Sequence, residues 1–263
     1  MDYKEAIGID GANVYLGGQE ILHDINWHVK TGERCFVLGA NGAGKTTLVR
    51  TVMGFNWPKF GARVQVLGHE FGKVNLAELR KRIAWVSPFM HQVLAEEHTG
   101  LELVLSALEG ALGLFRKPTD EEIARAENAM RELQCLHLRD RMLHSMSSGE
   151  QVKILIARAL LIKPELMILD EPSVYLDIAG REFLLETIAN LAKTRPELTM
   201  VFITQRIEDI LPVFDRGMIL KSGRIEAIGS REEVLTEDNL KKAFGLNIRL
   251  IRSGNGRFWT VIE

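Results

Sequence analysis

Short apolar runs bounded by Gly and Pro alternate along this 263-residue chain with longer stretches of helical period. Arg34 and the apolar run Cys35-Phe36-Val37-Leu38 read as a strand that leads into a Gly-rich loop and a helix over 45–53. Further strands are predicted at 166–169, 199–203 and 217–220, with helices over 151–161 and 180–193. Strands separated by helices predict an α/β fold on a parallel sheet covered on both faces. The segment 88–147 breaks that rhythm. Its apolar residues fall at helical spacing (Leu101, Leu105, Leu108; Ile123, Ala126, Met130, Leu133) with no convincing strand, which predicts a helical subdomain inserted in the core. Residues 1–35 alternate and turn at Gly17-Gly18, as an antiparallel flank does. The tail reads as a hairpin turning at Ser253-Gly254-Asn255-Gly256. The expected organisation is one domain over 1–246 and a β-hairpin extension over 247–263.

Composition narrows the class. Apolar residues make up 46% and charged residues 26%, a globular balance that excludes disorder as the main theme. Lys and Arg number 33 against 35 Asp and Glu, and the net charge of −2 argues against gripping nucleic acid by bulk electrostatics. Cys35 and Cys135 form neither a metal-ligand pair nor a disulfide framework, so a reducing compartment is expected. The first residues lack a signal-peptide core, and no stretch reaches the ~18–20 apolar residues of a membrane span. A soluble chain is expected, whose dealings with a membrane go through a partner.

Gly39-Ala40-Asn41-Gly42-Ala43-Gly44-Lys45-Thr46 fits G-x-x-x-x-G-K-[ST] at every fixed position, between a strand and a helix. The glycines let the backbone curl so that successive N–H groups converge on phosphate oxygens, and the helix N-terminus adds partial positive charge. Gly39, Asn41, Gly42, Ala43, Gly44, Lys45, Thr46 and Thr47 are the candidate nucleotide ligands. Lys45 is suited to the β- and γ-phosphates and the Thr46 hydroxyl to Mg²⁺. ATP and Mg²⁺ are the expected ligands.

The run Leu166-Met167-Ile168-Leu169 ends in Asp170-Glu171. Asp170 is the candidate for the Mg²⁺ shell and Glu171 for the general base that polarises the attacking water. Ser147-Ser148-Gly149-Glu150-Gln151 opens another amphipathic helix, and Ser147 and Glu150 have capping-box spacing. The same start, with a hydroxyl and a glycine N–H, offers a second anion site.

Taken together, the chain resembles the ATP-binding-cassette (ABC) ATPases over roughly residues 5 to 245. Met146-Ser147-Ser148-Gly149-Glu150-Gln151 is similar to that family's Leu-Ser-Gly-Gly-Gln signature, and Ile156-Ala157-Arg158-Ala159-Leu160 to the run that follows it. Asp170-Glu171-Pro172-Ser173 and Leu176-Asp177 are similar to its acidic pair and D-loop. The resemblance implies a head-to-tail dimer of two copies around two Mg-ATP, in which Ser147, Gly149 and Glu150 meet the γ-phosphate held by the other copy. It also implies that Tyr15 stacks on adenine.

The chain departs from that pattern in places. Ser148 replaces a signature glycine, which matters only if the position needs a positive φ. Tyr175 stands where a small D-loop residue is usual. Gln92, or its neighbour His91, is the candidate for the glutamine that senses both γ-phosphate and the transporter in that family, and Gln92 is also a candidate metal ligand. The switch histidine is replaced by Gln205, with Arg206 beside it.

The resemblance implies an ATP-hydrolysing subunit that powers a transporter whose spanning permease chains are separate. It would sit in the cytoplasm, peripheral to the inner face of the membrane, with no direct nucleic acid. The competing expectation is a soluble ABC ATPase acting on a nucleic-acid or ribosomal partner. Val66–Lys73 and Val234–Glu237 resemble a subgroup assigned to molybdate or iron-chelate transport.

Overall fold

The computed structural model describes residues 4–87, 98–109 and 116–263. Along the chain run β1 (Glu5–Leu16), β2 (Gln19–Lys30), β3 (Arg34–Leu38), α1 (Lys45–Val52), β4 (Arg63–Val66), β5 (His69–Glu70), α2 (Leu76–Arg80), β6 (Ile83–Val86), α3 (Gly100–Leu105) and α4 (Asp120–Glu132). There follow α5 (Ser148–Leu161), β7 (Leu166–Asp170), α6 (Ile178–Thr194), β8 (Thr199–Thr204), β9 (Arg216–Lys221), β10 (Arg224–Ser230), α7 (Arg231–Val234), α8 (Glu237–Phe244), β11 (Ile248–Arg252) and β12 (Phe258–Ile262). They form two compact units, Met1–Leu76 with Arg195–Glu263, and Ala77–Thr194.

In the first unit β3 runs parallel to β8 and to β9, and β10 returns antiparallel along β9. Cys35–Leu38 and all six residues of β8 are buried, so these strands read as continuous apolar runs rather than as alternation. Phe36 lies over its strand neighbour Gly217, where an added Cβ would stand 2.5 Å from the ring. Phe202 and Phe214 stack beside it with centroids 5.2 Å apart. A separate sheet of order β2-β1-β4-β5 is antiparallel throughout. The β11–β12 hairpin is tied to the same unit by two buried arginines. Arg257 donates to the Glu208 carbonyl through Nε (3.0 Å) and Nη2 (2.8 Å), and Arg231 donates to the Gly256 carbonyl at 2.7 Å.

In the second unit β6 and β7 pair in parallel. Helix α5 packs on α3, α4, α6 and β6, and its apolar face (Ile154, Leu155, Ala157) is buried with Leu103, Met130, Leu133 and Leu143. The described part of 88–147 holds α3 and α4, and Thr99 and Met142 form an isolated antiparallel bridge. Among the described residues four helices open with the same device. Thr99 with Glu102, Thr119 with Glu122, Ser147 with Glu150 and Ser230 with Glu233 form reciprocal capping boxes that satisfy the orphan N–H groups of each first turn.

Two helices begin earlier than periodicity predicts, at Ser148 rather than 151 and at Ile178 rather than 180. Their starts are set by polar caps, which an apolar count does not see. Ser147 caps α5, and the Asp177 carboxylate accepts the Gly180 N–H at 2.7 Å.

The β9–β10 turn docks on the β1–β2 hairpin. His23 N–H donates to the Gly223 carbonyl and Gly223 N–H to the Ala43 carbonyl, each at 2.9 Å. Gly223 has φ 74°, and a Cβ there would lie 2.0 Å from the Ile21 carbonyl oxygen. Gly223→Ala is therefore expected to lose about 2–4 kcal/mol of stability, from the left-handed backbone and the overpacking together. Urea unfolding of the variant beside the parent chain measures it.

Candidate functional site

The phosphate loop lies in the first unit. Gly42 (φ 78°) and Gly44 (φ 103°) take left-handed backbone that an L side chain resists, and Gly44 is the N-cap of α1. Close approach adds to the demand. A Cβ at Gly39 would stand 2.5 Å from the Leu220 carbonyl oxygen, and one at Gly44 would stand 2.8 Å from the Leu22 side chain. Lys45 is 5% exposed, and its Nζ donates to the Gly39 carbonyl at 2.7 Å and the Ala40 carbonyl at 2.8 Å. Its charge is thus drawn into the curl of the loop. Asn41, Gly42 and Thr46 are exposed, whereas Ala43 and Thr47 are buried, and Thr47 accepts the Thr51 hydroxyl at its carbonyl (2.9 Å).

The acidic pair lies in the second unit. Asp170 ends β7 and is buried. Glu171 is half-buried at φ 51°, the left-handed region that costs an ordinary residue roughly 1–2 kcal/mol. The turn beyond it is closed by Val174 N–H to the Glu171 carbonyl (3.3 Å) and Leu176 N–H to the Ser173 carbonyl (3.1 Å).

The start of α5 is in the same unit. The Ser147 hydroxyl donates to Glu150 Oε2 at 3.0 Å and accepts Glu150 N–H at 3.4 Å, while Ser147 N–H donates to Glu150 Oε2 at 2.8 Å. Arg141 pairs with the other carboxylate oxygen at 2.9 Å, which offsets a negative charge beside a would-be anion site. Ser148 is the first helical residue and its φ is not positive, so serine costs nothing there. Gly149 also lies within the helix, and a Cβ added to it meets no atom of the described residues beyond its own helix backbone within 4 Å. Nothing internal requires glycine, which is worse than alanine in a helix by about 1 kcal/mol. Gln151, whose role the sequence did not show, fastens the approach by donating to the Leu143 (3.0 Å) and Met146 (3.2 Å) carbonyls. A cavity of about 500 Å³ opens there, lined by Ser147, Gly149, Lys153, Tyr175 and Phe183 among others. Lys153 Nζ sits 3.9 Å above the Phe183 ring.

Tyr15, the penultimate residue of β1, is half-exposed, across the hairpin from Glu20. Reduced hydration and the Glu20 carboxylate within hydrogen-bonding reach push its pKa up. Gln205 follows β8 half-buried, with Arg206 exposed beside it. The strand-end backbone is satisfied by Thr204, whose hydroxyl accepts the Arg206 N–H at 2.9 Å, so Gln205 is not needed for that purpose. Gln92 and His91 lie outside the described residues.

The ABC transporter family matches residues 22–174, more than half of the chain. The chain belongs to that family. The ABC transporter ATP-binding protein YlmA of Bacillus subtilis is 37% identical over 256 residues, 97% of each chain. YmeB of Lactococcus lactis, also an ABC transporter ATP-binding protein, is 32% identical over 231 residues, 88% of this chain and 89% of its own. A structure described as a metal-chelate type ABC transporter facing inward superposes with a TM-score of 0.77 at 25% identity, over 98% of this chain and 97% of the other. This protein is therefore an ATP-binding, ATP-hydrolysing subunit of an ABC transporter, on a mixed α/β fold with a parallel-strand core. Among the described residues no helix is long and apolar enough to cross a membrane.

The capping box makes the start of α5 pH-dependent. The Ser147 backbone N–H, then the Ser147 hydroxyl and Arg141, hold the Glu150 carboxyl below the usual glutamate range. A depressed folded-state pKa contributes stability above the unfolded value of about 4.3, lost as pH falls through the folded value. Glu150→Gln should accordingly melt below the parent at pH 7, with the difference closing below about pH 4 in thermal scans.

Proposed function

We propose that this chain binds Mg-ATP on its phosphate loop, closes head to tail on a second copy of itself, and drives separate permease chains from the cytoplasmic face of a membrane. Gly149 carries the reading of the second half-site: a helical glycine that nothing in its own chain requires fits a backbone approached closely by a group from outside. In this scheme Gly39 to Gly44 cradle the phosphates with Thr47, Lys45 meets the β- and γ-phosphates, and Ser147, Gly149 and Glu150 face the γ-phosphate held by the other copy. Tyr15 stacks on the base, a contact worth about 1–3 kcal/mol.

The Thr46 hydroxyl and the Asp170 carboxylate are hard oxygen donors of the kind Mg²⁺ takes alongside phosphate, with Gln92 as the third candidate. Mg²⁺ held by these groups would offset the charge of the β- and γ-phosphates. Glu171 takes the proton of the attacking water. Its left-handed backbone suits a functional position, because strain persists where the surroundings impose it.

The whole-length relatives support transport over a soluble factor acting on nucleic acid or ribosomes, as does the net charge of −2. The metal-chelate type neighbour supports the subgroup seen in the sequence. The substrate itself is read elsewhere: the spermidine/putrescine import protein PotA of Bacillus thuringiensis is also 30% identical over 235 residues.

Glu171→Gln keeps the acceptor geometry and removes the base. It should elute as a dimer with Mg-ATP and as a monomer without it; a variant still monomeric at saturating ATP overturns the head-to-tail scheme. Adding Ser147→Ala should weaken that dimer while leaving the nucleotide affinity of the isolated chain unchanged.

Gln205 gives the γ-phosphate at most a neutral donor where a histidine gives a charged one. Hydrogen bonds to charged groups exceed neutral ones by roughly 1 kcal/mol. Gln205→His should then raise kcat about fivefold at similar ATP affinity. Steady-state kinetics decide: an unchanged kcat in Gln205→His beside a lost one in Arg206→Ala assigns the contact to Arg206.

A further inference from the structure

Three polar side chains gather on the β1–β2 hairpin beside the phosphate loop. Tyr15 and Glu20 are directly opposite in the register, and the Glu20 carboxylate lies within hydrogen-bonding reach of the Tyr15 hydroxyl. His23 Nδ1 stands 3.3 Å from Glu20 Oε2. Positions three apart on a flat strand face opposite ways, but this pairing has register shifts at Ala12/Val14 and Val14/Tyr15, and such irregularities increase local twist. His23 is anchored in turn. Its N–H donates to the Gly223 carbonyl, and Gly223 N–H donates to the Ala43 carbonyl inside the phosphate loop. Leu22, between Glu20 and His23 on the same strand, closes on Gly44. A continuous series of bonds and contacts thus runs from the loop backbone to the tip of the Tyr15 side chain.

We propose that Glu20, backed by His23, is a positioning residue that fixes the orientation of the Tyr15 ring relative to the phosphate loop, so that the nucleotide base meets a preset aromatic face. The proposal rests on the stacking role given to Tyr15 above. The chemistry is preorganisation. A half-exposed tyrosine at a hairpin end turns about two side-chain bonds, and ordering such a side chain on binding costs about 0.5–1.5 kcal/mol. A carboxylate that holds the phenol beforehand removes that cost from the binding step. It acts on affinity, because the base lies far along the nucleotide from the reacting γ-phosphate.

The test uses the full chain and five variants. Glu20→Ala should raise the KM for ATP and the Kd for ADP by about two- to tenfold, the equivalent of the ordering cost, with kcat unchanged. Glu20→Gln, which still offers an oxygen to the phenol, should stay near the parent. Tyr15→Phe should match Glu20→Ala, and adding Glu20→Ala to Tyr15→Ala should change nothing further. Inhibition by tripolyphosphate, which has the phosphates without the base, should be the same in Glu20→Ala and the parent. Equal weakening of tripolyphosphate overturns the proposal, since Glu20 would then support the phosphate loop itself. A raised KM in Tyr15→Ala with none in Glu20→Ala overturns the tether and leaves stacking intact. No effect in Tyr15→Ala overturns stacking, and the tether with it.

Discussion

A lysine ammonium buried within a loop of peptide carbonyls is the constraint on which the first unit is arranged. Taking such a charge from water is expensive unless it is hydrogen-bonded. The Gly39 and Ala40 carbonyls meet that demand, and to point them inward the loop curls through left-handed Gly42 and Gly44. Loops curled through such glycines gather backbone N–H groups into a concavity, the arrangement that suits an anion. It also forces close neighbours: the β1–β2 hairpin reaches Gly44 through Leu22 and Gly223 through the Ile21 carbonyl. One buried charge therefore decides glycines far apart in sequence, and the hairpin that carries Tyr15 is held by the same contacts.

In the second unit the chemistry sits at the ends of regular elements, where backbone pairing stops. The buried strand β7 ends on Asp170, and the next residue is the strained Glu171. Helix α5 begins at Ser148, with Ser147 as its N-cap and its first-turn N–H groups partly satisfied by the capping box. Regular structure consumes backbone donors and acceptors internally. Only its termini have any to offer a ligand.

This placement explains what was legible in the sequence. The parallel strands were readable because burial on both faces makes Cys35–Leu38 and Met200–Ile203 continuous apolar runs. The phosphate loop was readable because its glycine demands are local and fixed in spacing. Helix starts were missed by two or three residues because Ser147 and Asp177, not an apolar period, set them. The αL backbone at Glu171 left no trace, since nothing in a glutamate announces a positive φ. Gln151 was equally silent: its bonds to the Leu143 and Met146 carbonyls depend on where the chain before it folds back. Whether Ser148 was strained turned on one dihedral that the sequence does not contain.

The capping box at α5 also bears on reversibility. In the isolated chain the Ser147 hydroxyl is engaged with Glu150, so in the head-to-tail scheme proposed above a phosphate arriving from another copy would have to displace that bond rather than occupy a bare donor. The exchange trades one charge-assisted hydrogen bond for another of similar strength, and its net free energy is correspondingly small. A half-site built this way grips only in concert with the rest of an interface. In the proposed scheme, an adhesive that lets go once the γ-phosphate is cleaved would need that property, and a preformed, unsatisfied anion hole would lack it. Arg141 completes the arrangement by keeping the displaced Glu150 carboxylate paired, so that opening the box strands no charge.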